Sequence, residues 1–199
     1  MVINRAKKWV YLGPPKTAST SLHQLLTAPP FAGERMSSQH EMVVPADCRD
    51  FFIFASVRNP YDRAASLWRH RLHDLYRAAY PQQLVKFRTI VKELAVILPF
   101  NRFVQQMVNH HYDNPFFEWT VTEWLNLKPD FLPDYEPRVD AVIHVETLAA
   151  DLAELHLVDA EFAVPQVNVT RGQVEAKYDD QTRELVRQWA QMDLEGYEI

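Results

Sequence analysis

The sequence has one cysteine, Cys48, so no intrachain disulfide can form, and this usage fits a reducing compartment. It has only 4 glycines in 199 residues. The nucleotide-loop pattern G-x-x-x-x-G-K-[ST] accordingly fails. Ala18 stands five residues after Gly13, and Lys16 follows Gly13 by three residues rather than six. No apolar run approaches the roughly 18 residues of a membrane span, because Arg, Lys, Glu or Pro breaks each one. The start, Met1 to Lys8, carries charge but leads into no apolar segment of signal-peptide type, so a cytoplasmic protein is expected. A basic excess is missing as well. The formal net charge is -5, the wrong sign for a nucleic-acid partner. An anionic ligand would need a local basic site, since the field of the whole molecule opposes it.

What is present is ordinary globular composition, 47% hydrophobic and 24% charged, without repeats, low-complexity tracts or Gly/Ser linkers. The length suits one well-buried domain. Trp9-Val10-Tyr11-Leu12 predicts a short buried strand, stopped by Gly13-Pro14-Pro15. Thr17 to Thr20 offer N-cap side chains for a helix carrying Leu22, Leu25 and Leu26, which Pro29-Pro30 ends. Phe51 to Val57 is a continuous apolar run, as in a central strand covered on both faces. Asn59-Pro60 then starts a helix with Tyr61, Ala64, Ala65, Trp68, Leu72, Leu75 and Tyr76 at helical spacing. A mostly helical stretch follows, broken near Pro99 and Asn114-Pro115. Val139 to Val145 predicts another strand, with a helix over about Leu148 to Leu155 and a last one over about Asp179 to Leu194. Strands alternating with helices give a three-layer α/β domain, a mainly parallel central sheet flanked by helices, with ligands at the strands' carboxyl ends.

Two strand-to-helix turns carry the chemistry. In Gly13-Pro14-Pro15-Lys16-Thr17-Ala18-Ser19-Thr20-Ser21, main-chain N–H groups and the positive helix end converge, and Lys16 and the hydroxyls add donors, which is a cradle for an anion. In Val57-Arg58-Asn59-Pro60-Tyr61-Asp62-Arg63-Ala64-Ala65-Ser66, Arg58 offers a rigid fork to phosphate oxygens, and Ser66 stands eight residues on in the second helical turn. Arg63 reads as a solvated residue or a secondary phosphate contact.

The first turn resembles the 5′-phosphosulfate loop of sulfotransferases, P-K-[ST]-[GA]-[ST]-T after the first strand. Pro15-Lys16-Thr17-Ala18-Ser19-Thr20-Ser21 is especially similar to the heparan sulfate 2-O-sulfotransferase group. The second turn resembles the family's 3′-phosphate motif, an arginine at a strand end with a serine eight residues later. Asp140 to Leu148 followed by Asp151 looks like the family's late strand, E-x-L and an aspartate. Asn168 to Gly172, with Asp193 to Tyr197 beyond, resembles the closing segment of carbohydrate-type members. The resemblance is specific in the first 70 residues, and residues 70 to 135 match no family pattern. It implies a P-loop-like fold and 3′-phosphoadenosine 5′-phosphosulfate (PAPS) as sulfuryl donor, leaving 3′-phosphoadenosine 5′-phosphate (PAP). Lys16 would contact the sulfate and bridging oxygen, Thr17, Ala18, Ser19, Thr20 and Ser21 the 5′-phosphate, and Arg58, Ser66 and Arg171 the 3′-phosphate.

Transfer to a hydroxyl needs a base, and histidine is the usual one near neutral pH. Of the 8 histidines, His40 lies between the two phosphate motifs, on the segment where family members commonly carry the base. Glu41, next to it, would point the other way along a strand. His70 and His73 follow Arg58 and could line an acceptor cleft. His110-His111 with Asp113 diverge on a helix, so no metal is assigned. The expected enzyme spans 1–199 as a single sulfotransferase domain, with a mostly helical acceptor side around 69–135. Lys16 and His40 would be its catalytic residues and an alcohol, such as a carbohydrate hydroxyl, its acceptor. The alternatives are a non-catalytic PAPS- or glycan-binding protein of the same fold and a P-loop nucleotide kinase with an aberrant loop.

Overall fold

The computed structural model describes residues 1–36, 40–80, 86–126, 138–157 and 174–197. The chain forms two compact units, residues 1–59 with 120–168, and residues 60–119 with 169–199.

The first unit is built on a five-stranded sheet in the order β3-β1-β2-β4-β5, with β1 Val2–Asn4, β2 Trp9–Leu12, β3 Glu34–Arg35, β4 Phe52–Val57 and β5 Ala141–His144. The apolar runs around Trp9, Phe51 and Val139 are all strands, as the sequence predicts. β2 and β5 each pair parallel with β4, Tyr11 opposite Phe54 and Val57 opposite His144. β1 runs against β2 and β3 against β1, so four of the five strands point one way. β1 and β3 are additions to the sequence reading. The turn from β1 into β2 is held by Asn4, whose Oδ1 accepts from the Lys7 N–H at 2.7 Å.

The alternation of the strands sorts their side chains onto two covered faces. Val2, Trp9, Tyr11, Phe54 and Ile143 pack with Leu22, Leu25 and Leu26 of helix α1 (Ser19–Thr27) and Leu152 of α7 (Leu148–Glu154). On the other face, Ile3, Val10, Leu12, Ile53 and Ala55 meet Met42, Val44, Cys48 and the half-buried Trp124 and Leu125 of α6 (Val121–Leu125). Burial on both sides is why β2 and β4 read as unbroken apolar runs. The result is an α/β unit whose central sheet lies between two covering layers. The carboxyl ends of β2, β4 and β5 share one edge, and the two phosphate-type motifs begin there.

The second unit is helical: α2 Pro60–Ala79, α3 Phe87–Ile97, α4 Phe100–Val108, α5 Pro115–Glu118, α8 Asp180–Trp189 and α9 Gln191–Tyr197. Its helix starts follow the sequence signals. Pro99 stands at the N-cap position of α4 without a side-chain bond, and the Asn114 side chain accepts from the Phe116 N–H with Pro115 in the first turn of α5. The terminal helix expected to be continuous is interrupted at Ala190, and Met192 is 52% exposed. Arg63 also departs from its reading. It is fully buried, donates to the Trp119 carbonyl at 2.8 Å and lies over the Trp189 ring, so it anchors this core instead of meeting solvent or phosphate.

Candidate active site

The loop between β2 and α1 is shaped by its main chain. Lys16 has φ 68° and Ala18 φ 57°, both left-handed, and Thr17 between them is not. Such alternation turns successive N–H groups toward one concavity, an arrangement suited to anions. Left-handed backbone is costly for residues with a Cβ, so it persists only where its surroundings impose it. The N-cap of α1 is Ala18, which has no side chain able to cap, so the hydroxyls of the Thr17–Thr20 run are not used as the sequence reading expected. Thr20 is exposed and Ser21 half-buried, on the first turn of α1, while Ser19 is buried.

Thr17 faces inward. Its hydroxyl donates to the Pro14 carbonyl at 2.8 Å and meets the Ser56 hydroxyl at 2.7 Å, and Ser56 in turn meets the Tyr11 hydroxyl at 2.7 Å. All three side chains are fully buried. What Thr17 can offer a phosphate is therefore its backbone N–H. Gly13 is needed where the chain passes this cluster, since a Cβ there would stand 2.9 Å from the Ser19 Cβ and 3.0 Å from the Tyr11 hydroxyl.

Two expected residues from distant segments reach this same loop. His40 approaches the Gly13 carbonyl with Nδ1 at 2.8 Å, and since a carbonyl only accepts, Nδ1 carries the hydrogen. In the neutral ring the basic lone pair is then on Nε2. The ring also lies 6.2 Å from that of Trp124. Arg58, at the end of β4, extends Nη1 to the Lys16 carbonyl at 3.4 Å, while its buried Nε has no hydrogen-bond partner among the described residues. A guanidinium with an unsatisfied buried N–H is matched to an incoming anion, because satisfying that donor recovers a desolvation cost.

The late-strand pattern turns out to brace this edge. Glu146 accepts from the Asn59 N–H at 3.0 Å, directly after Arg58, and Asp151 accepts from both the backbone N–H and ring Nδ1 of His144, at 2.6 and 2.8 Å. Burial alone would raise the Asp151 carboxyl, but the hydrogen bonds from His144 and Thr147 leave it below its ordinary value.

The remaining expected residues fall elsewhere. Ser66 is half-buried on α2 in the second unit. Arg171 lies outside the described residues. His70 packs on Phe116 and His73 on Phe87 within the helical unit. Among the described residues no group of three or more His, Cys, Asp or Glu is placed to hold a metal, and no helix is long and apolar enough to cross a membrane. The sequence reading missed Tyr11 and Ser56. Their signal was a hydroxyl in each of two otherwise apolar strands.

Neither the curated proteins nor the solved structures contain a match to this chain. The model of the Sulfotransferase family matches residues 1–198, its P-loop-like α/β fold is the one found here, and the chain belongs to that family, whose work is sulfuryl transfer.

Proposed function

We propose that the protein transfers the sulfuryl group of PAPS to a hydroxyl of a glycan or small-molecule acceptor. The observation that carries this reading is the convergence of His40 and Arg58 on the main chain of one loop, at the carbonyls of Gly13 and Lys16. This supports reading His40 as the base and Arg58 as the phosphate fork, each from a segment distant in sequence.

PAPS supplies a sulfur electrophile whose leaving group is a phosphate. The N–H groups of residues 17–21, with the hydroxyls of Thr20 and Ser21, hold the 5′-phosphate. Lys16 neutralises the charge that grows on the leaving oxygen, a positioning and electrostatic task. Arg58 takes the 3′-phosphate, and its orphaned Nε fits that role. His40 Nε2 receives the proton of the acceptor hydroxyl as that oxygen bonds to sulfur, with Nδ1–H held by Gly13 to fix the tautomer. For Ser66 and Arg171 the assignment rests on the sequence resemblance alone.

Thermal unfolding with added nucleotide tests the donor. PAP at 100 times its dissociation constant stabilises the native state by about 2.7 kcal/mol, raising Tm clearly, whereas ATP with magnesium leaves it close to the unliganded value. Equal shifts for both, or a shift with ATP alone, would contradict PAPS as the donor.

A further inference from the structure

The chain Tyr11–Ser56–Thr17 is the least expected polar feature of the first unit. Three hydroxyls, each completely buried, are strung between two strands and the loop. Their donor order follows from the end of the chain. The Pro14 carbonyl can only accept, so the Thr17 hydroxyl donates there. Thr17 then accepts from Ser56, and Ser56 accepts from Tyr11. Burial pushes the Tyr11 phenol above its ordinary value, so it stays protonated and keeps its place as first donor.

The geometry joins this order to strain. Thr17 is flanked by Lys16 and Ala18, the two left-handed residues of the loop. Nothing in their residue types favours that backbone, as they are neither glycine nor asparagine. The Thr17 side chain between them is held at Pro14 and at Ser56. Ser56 lies on β4 two residues before Arg58, so the same contact sets the loop relative to the strand that bears the phosphate fork.

We propose that Tyr11, Ser56 and Thr17 form a positioning relay that holds residues 16–18 in their anion-binding form and registers that loop against the strand carrying Arg58. These residues act through the loop's main chain. The expected effect on ligand rests on the PAPS reading, whereas the effect on the loop does not.

The experiment uses Ser56→Ala, Tyr11→Phe, Thr17→Val and Thr17→Ser in the full chain, with two readouts. Amide hydrogen exchange of residues 16–18 in the ligand-free protein should accelerate at least tenfold in Ser56→Ala and Thr17→Val, with the amides of β2 and β4 unchanged, and return toward wild type in Thr17→Ser. The dissociation constant for PAP should rise about 3- to 10-fold, the range of one lost net hydrogen bond, while that for adenosine 3′-phosphate, which lacks the 5′-group, stays constant. Tyr11→Phe, which removes a single oxygen, gives the same pattern at smaller amplitude and decides the matter if Ser56→Ala does not fold. Unchanged loop exchange in the folded variants overturns the relay, whatever happens to Tm. A wild-type protein that ignores PAP overturns the donor reading instead and leaves the exchange result to judge the relay.

Discussion

His23 on α1 is 2% exposed, sits edge-on to the Tyr11 ring with centroids 5.7 Å apart, and has no hydrogen-bond partner at either ring nitrogen among the described residues. Burial is the main reason its pKa falls from 6.5 to about 3. In the unfolded chain the ring titrates near its ordinary value of about 6.5. Below that pH the unfolded state binds a proton that the native state refuses. The stability from neutral His23 is therefore complete above about pH 6.5 and declines by about 1.4 kcal/mol per unit as pH falls toward the native pKa. Denaturant unfolding at pH 7 and pH 5 should show wild type losing about 2 kcal/mol more than His23→Leu, which has no such proton to take up. An equal loss in both proteins would mean that His23 does not titrate as its burial demands. The same residue shows what the sequence hides. His23 was one of 8 histidines, and nothing local distinguishes a buried ring on the sheet side of a helix from an exposed one. His40 was picked out by its place between two motifs, but its partner Gly13 is 27 residues away. Tyr11 and Ser56 are 45 residues apart and Thr17 and Ser56 39, so the relay exists only after β2 and β4 pair.

At the level of elements, β2 and β4 were legible because each is buried on both faces and reads as an apolar run, and the edge strand β5 by its Ala141-Val142-Ile143 run, although Val142 is exposed. β1 and β3 were not, being three and two residues long and without a distinctive pattern. α2 was plain from Asn59-Pro60 and its apolar spacing, whereas the start of α1 depends on backbone strain at Ala18 rather than on a capping side chain. α6 supplies a clean test of a cap. Thr120 accepts from the Glu123 N–H at 3.1 Å, and Glu123 accepts from the Thr120 N–H at 2.7 Å, a reciprocal capping box. This fixes the short helix that brings Trp124 beside the His40 ring. Thr120→Ala should cost about 1 kcal/mol in denaturant unfolding, and Thr120→Ser should restore most of it. No loss on Thr120→Ala would show that packing alone sets α6.

For the molecule as a whole, the charge and the proposed ligand have the same sign. A net charge of -5 does not draw in a polyanionic donor, so on the proposed reading attraction comes from Lys16, Arg58 and the main chain at the shared carboxyl edge of the strands. Such contacts act at short range, where salt screens them little. The family and the α/β fold follow from the chain's two strand-to-helix motifs, and the structure adds that a base candidate is held against the first of them. Transfer of labelled sulfuryl from PAPS across a panel of alcohol acceptors, by wild type and His40→Ala with PAP affinity measured alongside, tests this most directly. The account predicts transfer by wild type, with PAP bound equally well by the variant. Loss of the base should lower turnover about 10²- to 10⁴-fold. Near-normal turnover in His40→Ala would contradict it.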